Sequence, residues 1–188
     1  MSSKSRDRLR ALIRERSYRE GDFTLASGKK SKFYIDLKAT TLHPEGACLV
    51  GEVAVETVEA AKLGVVQGVG GLTLGADPIA TAVSIAGFRA GKHWPAFIVR
   101  KEAKDHGTGK YIEGTENLPA GARLVIVEDV VTTGGSSVTA IERVRAAGYE
   151  VAAVLTIVDR EAGGAEAFGR LGVPMIAMFK FSEIQSSG

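Results

Sequence analysis

Short apolar runs and segments of helical character alternate along most of the chain. Five apolar runs are predicted as strands: 65–66, 96–99, 124–127, 151–158 and 175–179. Four segments of helical character lie between or beside them: 44–61, 78–87, 138–147 and 164–171. This alternation predicts an α/β fold in which a central, mostly parallel sheet is flanked by helices on both faces.

The N-terminal region follows a different pattern. Residues 5–18 place Leu9, Leu12 and Ile13 at helical spacing, which predicts an amphipathic helix. Residues 23–37 are predicted as a β-hairpin with its turn at 27–30. Neither a low-complexity linker nor a repeat divides the sequence, so residues 1–188 are expected to form one domain.

Composition narrows the classes of protein that fit. A net charge of +2 gives no reason to expect a nucleic-acid partner. Cys48 is the one cysteine, which excludes an internal disulfide and fits a reducing compartment. No apolar run approaches the roughly 20 residues of a membrane span. These features predict a cytoplasmic protein with no membrane partner.

Residues 124–137 carry the most informative motif, Leu-Val-Ile-Val-Glu-Asp-Val-Val-Thr-Thr-Gly-Gly-Ser-Ser. Glu128 and Asp129 are predicted to follow the buried strand at its carboxyl end, where open α/β sheets bind ligands. Residues 132–136 are glycines and small hydroxyl residues before a helix, so their amides and hydroxyls suit a phosphate. Since carboxylates accept hydrogen bonds from vicinal hydroxyls, the motif predicts a ribose 5-phosphate site. The alternative is an acidic turn and a capped helix without a ligand, for which one glycine and one capping residue suffice.

A cationic segment, residues 100–107, follows the strand at 96–99. Its basic side chains are Arg100, Lys101, Lys104 and His106. A long, polar, glycine-containing segment at the carboxyl end of a strand is typical of a lid over a ligand site. Its cations would suit a polyanion. The alternative is a solvated loop, because Glu102 and Asp105 partly neutralise the charge.

Two further features bear on binding. The glycines at 68–71 are predicted to form a loop after a strand, either presenting amides to an anion or making a tight turn. Thr73 stands where a dinucleotide fingerprint requires a third glycine, and no Gly-Lys-Ser/Thr sequence follows, so neither that fingerprint nor a P-loop is supported. Arg160 ends the apolar run at 151–158 and could bind a planar carboxylate or imide, or pair with adjacent acids.

The motif at 124–137 resembles the 5-phosphoribosyl-1-pyrophosphate (PRPP) signature of type I phosphoribosyltransferases. Residues 100–107 are similar to the catalytic loop of one branch, the orotate phosphoribosyltransferases, and residues 23–36 resemble its N-terminal hood. Asp159-Arg160 sits where that branch places an orotate-contacting arginine. The resemblance implies the type I phosphoribosyltransferase fold. In that fold residues 1–40 and part of the C-terminus would form a small hood, and residues 98–116 a mobile catalytic loop.

The resemblance implies Mg²⁺-dependent transfer of ribose 5-phosphate from PRPP to orotate, a step of pyrimidine (UMP) biosynthesis that yields orotidine 5-phosphate and pyrophosphate. The PRPP-binding residues that it implies are Arg100, Lys101, Lys104, His106, Glu128, Asp129, Val130, Val131, Thr132, Thr133, Gly134, Gly135 and Ser136. Lys104 and Asp129 are implied as catalytic, and Thr132 and Arg160 as orotate-binding. No side chain is expected to bind the metal directly; Mg²⁺ is held through PRPP and water near Glu128 and Asp129.

The resemblance also implies a homodimer with shared active sites, in which Lys101 reaches into the neighbouring subunit. The chain departs from its relatives at Ala26, often Lys, at Leu72-Thr73, where some carry Tyr-Lys, and around Tyr34, where an aromatic pair is shifted by one place. Two alternatives stay open. A phosphoribosyltransferase for another base should lack the Arg-Lys-x-x-Lys-x-His segment, and a PRPP-sensing regulator would require an added DNA-binding domain.

Overall fold

A computed structural model describes residues 4–24, 30–103 and 111–185 of the chain. Its strands are β1 (Tyr18–Thr24), β2 (Lys30–Ile35), β3 (Gly68–Leu72), β4 (Ala96–Val99), β5 (Ile112–Glu113), β6 (Arg123–Val131), β7 (Glu150–Asp159) and β8 (Met175–Lys180). Its helices are α1 (Lys4–Arg16), α2 (Lys38–Thr41), α3 (Pro44–Ala60), α4 (Ala76–Arg89), α5 (Gly135–Ala146), α6 (Gly164–Gly169) and α7 (Phe181–Gln185), with a 3-10 turn at Thr115–Asn117.

Six strands form the central sheet in the order β5-β4-β3-β6-β7-β8. All neighbouring pairs are parallel except β4 with β5. The predicted α/β architecture is therefore confirmed. The connection from β3 runs to β4 on one side, and β6 then lies on the other side of β3. The carboxyl ends of β3 and β6 thus form a topological switch point, where open α/β sheets leave a ligand crevice.

Two apolar clusters cover the faces of this sheet. One packs α1, α3 and α4 against side chains such as Val69, Val125 and Leu155. The other packs α5 and α6 against side chains such as Leu124 and Ile126. Successive residues of β6 point to opposite faces, so the run 124–127 supplies both clusters and is fully buried. The prediction of a central strand at this position is confirmed.

The glycines at 68–71 are placed differently from the prediction. They form β3 itself, and the loop begins only at Thr73. An added Cβ on Gly70 would lie 2.1 Å from the Phe97 carbonyl oxygen, and one on Gly71 would lie 2.2 Å from the Val127 carbonyl oxygen. Glycine is required here because neighbouring strands approach too closely for a side chain. The predicted start of this strand at Val65 was wrong.

The predicted N-terminal hairpin is confirmed as the antiparallel pair of β1 and β2, although β1 begins at Tyr18 rather than Phe23. The Phe33 ring of β2 lies 4.5 Å from the Phe181 ring of α7. The hairpin therefore packs against the C-terminal helix α7, which directly follows β8. Helices α2 and α7 were not predicted, because four- and five-residue helices show too little periodicity to recognise. The predicted turn at 27–30 lies outside the described residues except for Lys30.

Candidate active site at the switch point of the sheet

The two carboxylates of the central motif belong to β6, which continues to Val131. The prediction that they follow the strand was wrong by four residues, since the sheet pairing of Glu128 with Thr156 and of Val131 with Asp159 extends the ladder. Their side chains nevertheless lie at its carboxyl end. Asp129 reaches toward the start of α4: a Cβ added to Gly75 would lie 3.2 Å from its carboxyl carbon.

Glu128 is only 9% exposed. Burial is the largest influence on its carboxyl group and, with the neighbouring Asp129, raises the pKa of Glu128 to about 7. The Ser137 hydroxyl donates a hydrogen bond to Glu128 Oε2 at 3.0 Å, and this bond acts to lower the pKa of Glu128. Glu128 is thus poised to ionise near neutral pH, where a hydroxyl donor or a cation would stabilise the charged form.

The loop after β6 encloses a small polar cavity. Its volume is about 150 Å³, and its lining is Glu128, Val130, Val131, Thr132, Thr133, Gly134, Gly135 and Ser136. These are the predicted PRPP-binding residues of the motif with the exception of Asp129. The structure therefore brings the predicted phosphate-binding segment together around one concavity at the switch point.

The N-terminus of α5 opens into this cavity. Gly134 is the N-cap with φ 85°, and the helical ladder starts with the Val138 amide donating to the Gly134 carbonyl oxygen at 2.9 Å. The first turn carries no acidic side chain. An added Cβ on Gly134 would lie 2.6 Å from the Phe168 ring. This amide-rich end with its partial positive charge is suited to a phosphate.

The loop after β3 forms the other wall of the crevice. The Thr73 hydroxyl donates to Asp77 Oδ2 at 2.6 Å, and the Thr73–Leu74 peptide bond is cis. Asp77 Oδ1 is buried and finds no hydrogen-bond partner within the described ranges. Asp77 and Asp129 thus place two carboxyl groups at the start of α4. This helix end therefore presents negative charge, unlike that of α5.

The cationic segment begins beside this second loop. Arg100 and Lys101 line a cavity of about 430 Å³ together with Thr73, Asp77, Ile98, Glu102 and Glu113. Arg100 pairs with Glu113 at 3.1 Å. Two predicted cations of this segment, Lys104 and His106, lie outside the described residues.

Arg160 packs beside the end of the motif. Its backbone amide donates to the Val131 carbonyl oxygen at 2.8 Å. Its guanidinium lies 4.8 Å from the centroid of the Phe33 ring and 4.7 Å from that of Phe181, and burial lowers the pKa of Arg160. In the part of the chain that the structure describes, it pairs with no acidic side chain, so the alternative of an ion pair with the adjacent acids is not supported. Phe181 was missed because α7 was not predicted.

Neither a metal-binding cluster nor a membrane-spanning helix occurs among the described residues. Residues 4–24, 30–103 and 111–185 contain no group of three His, Cys, Asp or Glu side chains that could hold a metal ion. Glu128 and Asp129 lie where they could accept hydrogen bonds from water on a metal ion that is itself held by substrate phosphates. None of the helices described here is long and apolar enough to cross a membrane.

Comparison with known proteins identifies the class. The family model described as a phosphoribosyl transferase domain matches residues 69–167, which span the switch point and both of its loops. A phosphoribosyltransferase from Corynebacterium diphtheriae superposes with a TM-score of 0.83 at 35% identity, over 98% of this chain and 100% of that one. Fold and site together define a type I phosphoribosyltransferase.

More specific relatives share nearly the whole chain. It is 48% identical to the orotate phosphoribosyltransferase of Nostoc sp. over 96% of its own length and 85% of the relative's. The orotate phosphoribosyltransferase of Thermosynechococcus vestitus is also 48% identical, over 96% of this chain and 93% of that protein. The Mycobacterium tuberculosis orotate phosphoribosyltransferase in complex with PRPP superposes with a TM-score of 0.80 at 37% identity, over 97% of this chain and 99% of that one. This chain belongs to the orotate phosphoribosyltransferase family.

Proposed function

We propose that this protein transfers ribose 5-phosphate from PRPP to N1 of orotate, forming orotidine 5-phosphate and pyrophosphate. The observation that carries the proposal is the small polar cavity where the open N-terminus of α5 meets Glu128. A terminal phosphate and a neighbouring diol would satisfy both parts of this site. The identity of the acceptor base and the reaction are inferred from membership of the orotate phosphoribosyltransferase family.

The donor, PRPP, would be held through its 5-phosphate and its ribose hydroxyls. Amides and hydroxyls of residues 132–136 would donate to the phosphate oxygens, and Gly135 leaves open space because nothing lies within 4 Å of a Cβ added there. Glu128 and Asp129 would accept hydrogen bonds from the ribose hydroxyls. Val130 and Val131 contribute to the wall of the cavity. This arrangement fixes the sugar while its anomeric carbon faces the second loop.

Charge develops in opposite directions as pyrophosphate leaves. The ribose carbon becomes oxocarbenium-like, while negative charge grows on the departing oxygens. Arg100, Lys101, Lys104 and His106 would stabilise those oxygens, and the carboxylates of β6 would favour the cationic sugar. Glu128 and Asp129 would hold Mg²⁺ near the substrate through water, and the ion would supply further positive charge to the leaving group. Residues 98–116 form the catalytic loop in this proposal.

Orotate would bind between Arg160 and Thr132. Arg160 carries a planar fork of donors, and its guanidinium lies against the Phe33 and Phe181 rings. A planar base bearing a carboxylate matches a partly buried arginine with no acidic partner in the described ranges. Residues 1–40, which include the β1–β2 hairpin, and the C-terminal residues around Phe181 would act as the hood over the base.

The reaction can be tested directly by varying the base. The protein is incubated with PRPP, Mg²⁺ and each of orotate, uracil, adenine, guanine and hypoxanthine, and loss of base absorbance is followed. We expect turnover with orotate alone. Turnover with another base and not with orotate would assign the protein to a different phosphoribosyltransferase. Tight PRPP binding without turnover of any base would favour a PRPP-sensing regulator.

We propose Lys104 as the most rate-sensitive cation. As the bond from N1 of orotate to the ribose carbon forms, the N1 proton is released and the departing pyrophosphate can accept it, so a dedicated strong base is not required and a fixed positive charge on the leaving group matters more. Lys104→Ala should lower kcat about a hundredfold, and His106→Ala should lower it less, since loss of one charge-assisted hydrogen bond costs roughly 1.5–3 kcal/mol. Full activity of Lys104→Ala together with an inactive His106→Ala would reverse the assignment.

We further propose a cytoplasmic homodimer in which the exposed Lys101 reaches the partner's site. Mixing Lys101→Ala protein with a Glu128→Gln/Asp129→Asn double variant should restore activity, because one of the two shared sites then holds only intact residues. Light scattering would report the dimer mass. Monomeric mass at assay concentration, or no recovery on mixing after subunit exchange, would contradict shared sites. The exposed thiol of Cys48 agrees with a reducing compartment.

A further inference from the structure

Arg143 joins α5 to the start of the cationic segment. It lies in the last turn of α5, the helix whose first turn opens into the phosphate cavity. Its guanidinium donates to the Arg100 carbonyl oxygen through Nη1 and to the Lys101 carbonyl oxygen through Nη2, the latter at 3.0 Å. Two successive carbonyls of the segment are therefore held by one side chain.

The same guanidinium also holds the returning part of the chain. It stacks 4.2 Å from the centroid of the Tyr111 ring. The Arg100 amide donates to the Tyr111 carbonyl oxygen at 2.8 Å, and β4 pairs with β5 immediately beyond. Arg143 thus contacts the chain both where it leaves β4 and where it comes back to β5.

Only arginine can make this set of contacts. Its planar fork donates in two directions while its face stacks on an aromatic ring, whereas a lysine ammonium is a single point of charge. Arg145, in the same helical turn, provides a natural comparison. It donates to the Leu171 carbonyl oxygen at 3.0 Å, and Leu171 follows α6. Both arginines have a favourable position at the helix C-terminus, but among the described residues of the cationic segment the contacts are made by Arg143 and not by Arg145.

The helix gives this contact a consequence for the site. Gly135 and Arg143 are eight residues apart on one helix, a rise of about 12 Å. The phosphate cavity and the backbone of Arg100 and Lys101 are thereby tied to opposite ends of a single rigid element. Arg100 and Lys101 line the cavity beside Thr73 and Asp77, so their backbone position sets where their cations can meet a ligand.

We propose that Arg143 is a positioning residue, which fixes the backbone from which Arg100 and Lys101 reach PRPP, Lys101 in the partner's site. This inference rests on the proposed function. A ligand that contacts these cations as well as a phosphate cavity should depend on Arg143, and a ligand that fills the phosphate cavity alone should not.

Calorimetric binding of two ligands tests this. Ribose 5-phosphate fills the cavity and lacks the pyrophosphate, while PRPP with Mg²⁺ has both groups. Arg143→Ala should weaken PRPP binding about tenfold, as expected when a charge-assisted contact is misplaced, and should leave ribose 5-phosphate binding within about twofold. The matched control, Arg145→Ala, should change neither. Equal weakening of both ligands, or no weakening of PRPP, overturns the inference.

Milder variants guard against misfolding of Arg143→Ala. Arg143→Lys keeps the charge and loses the fork, and Tyr111→Leu removes the stacked ring; each should raise the KM for PRPP at least about threefold while the KM for orotate stays within twofold. Parallel changes in both KM values would overturn a positioning role. Wild-type protein that binds neither ligand would defeat the proposed function itself. Wild-type binding of both, with variants that match Arg145→Ala, would defeat only the inference.

Discussion

Two strand–loop–helix units meet at the switch point, and they use glycine and charge in opposite ways. In the β6–α5 unit, glycines stand in the loop and at the N-cap, Gly134 with φ 85°, and the first helical turn has no acid. In the β3–α4 unit, three glycines lie in the strand, where carbonyl oxygens leave no room for a Cβ on Gly70 or Gly71, and the N-cap Gly75 has an ordinary helical φ of −62°. Its helix begins beside Asp77 and Asp129 instead.

The difference explains why one unit is suited to a phosphate and the other is not. Both have a helix N-terminus with unpaired amides and partial positive charge. Carboxyl groups at α4 oppose an anion there, whereas at α5 the amides face an open polar cavity. A count of glycines after a strand therefore does not identify a phosphate site. The position of the glycines relative to the strand end and the charge of the first helical turn do.

The largest expected effect concerns the glycines of the two units. Gly70→Ala should lower the free energy of unfolding by about 3 kcal/mol or more, because its Cβ would overlap the Phe97 backbone and force the strands apart. Gly135→Ala meets no atom within 4 Å and should keep the stability of the wild type. Urea denaturation measures both. Equal stability of the two variants would show that the strand glycine is not required by packing.

Next in size is the effect of the acids. Asp129→Asn should lower kcat/KM for PRPP about a hundredfold, since it weakens charge-assisted hydrogen bonds to the ribose, each worth roughly 1.5–3 kcal/mol. Asp77→Asn, at the start of α4, keeps an acceptor for the Thr73 hydroxyl and should stay within about fivefold. Steady-state kinetics with PRPP as the varied substrate measures kcat/KM for both variants. A larger loss for Asp77→Asn would move the donor site toward the β3–α4 unit.

A smaller effect is expected at the proposed orotate site. Arg160→Ala should raise the KM for orotate about tenfold by removing a contact to a carboxylate, and it should leave the KM for PRPP within about twofold. Arg170→Ala, an exposed arginine at the end of α6, is the control and should change neither. If Arg160→Ala raised the KM for PRPP alone, Arg160 would belong to the donor site.

A further effect is a pH dependence from Glu128. Its folded-state pKa of about 7 lies above the ordinary value of 4.5, so the folded protein binds the proton more tightly than the unfolded chain. This contribution to stability is full below about pH 4.5 and is lost as pH rises through about 7. Activity should rise over the same range, because the ionised form accepts the ribose hydroxyls. Both profiles should flatten in Glu128→Gln; an unchanged profile would assign the titration to another group.

Much of the fold and part of the candidate site could be predicted from the local pattern of residues in the sequence. The apolar run at 124–127 and the small residues after it gave the central strand and the cavity, because burial on both faces and a phosphate-compatible loop each leave a compositional trace. The glycines at 68–71 misled, since a glycine required by strand approach looks the same in sequence as one required by a turn. The contact of the Arg160 guanidinium with the Phe33 and Phe181 rings, and the contact of Arg143 with residues 100 and 101, join distant segments and leave no local signal.

The most direct measurement is a crystal structure with PRPP and Mg²⁺. We expect the 5-phosphate within hydrogen-bond distance of the amides of residues 133–136, with the ribose hydroxyls toward Glu128 and Asp129. A phosphate monoester bound at the start of α4, with the cavity after β6 left empty, would contradict the account.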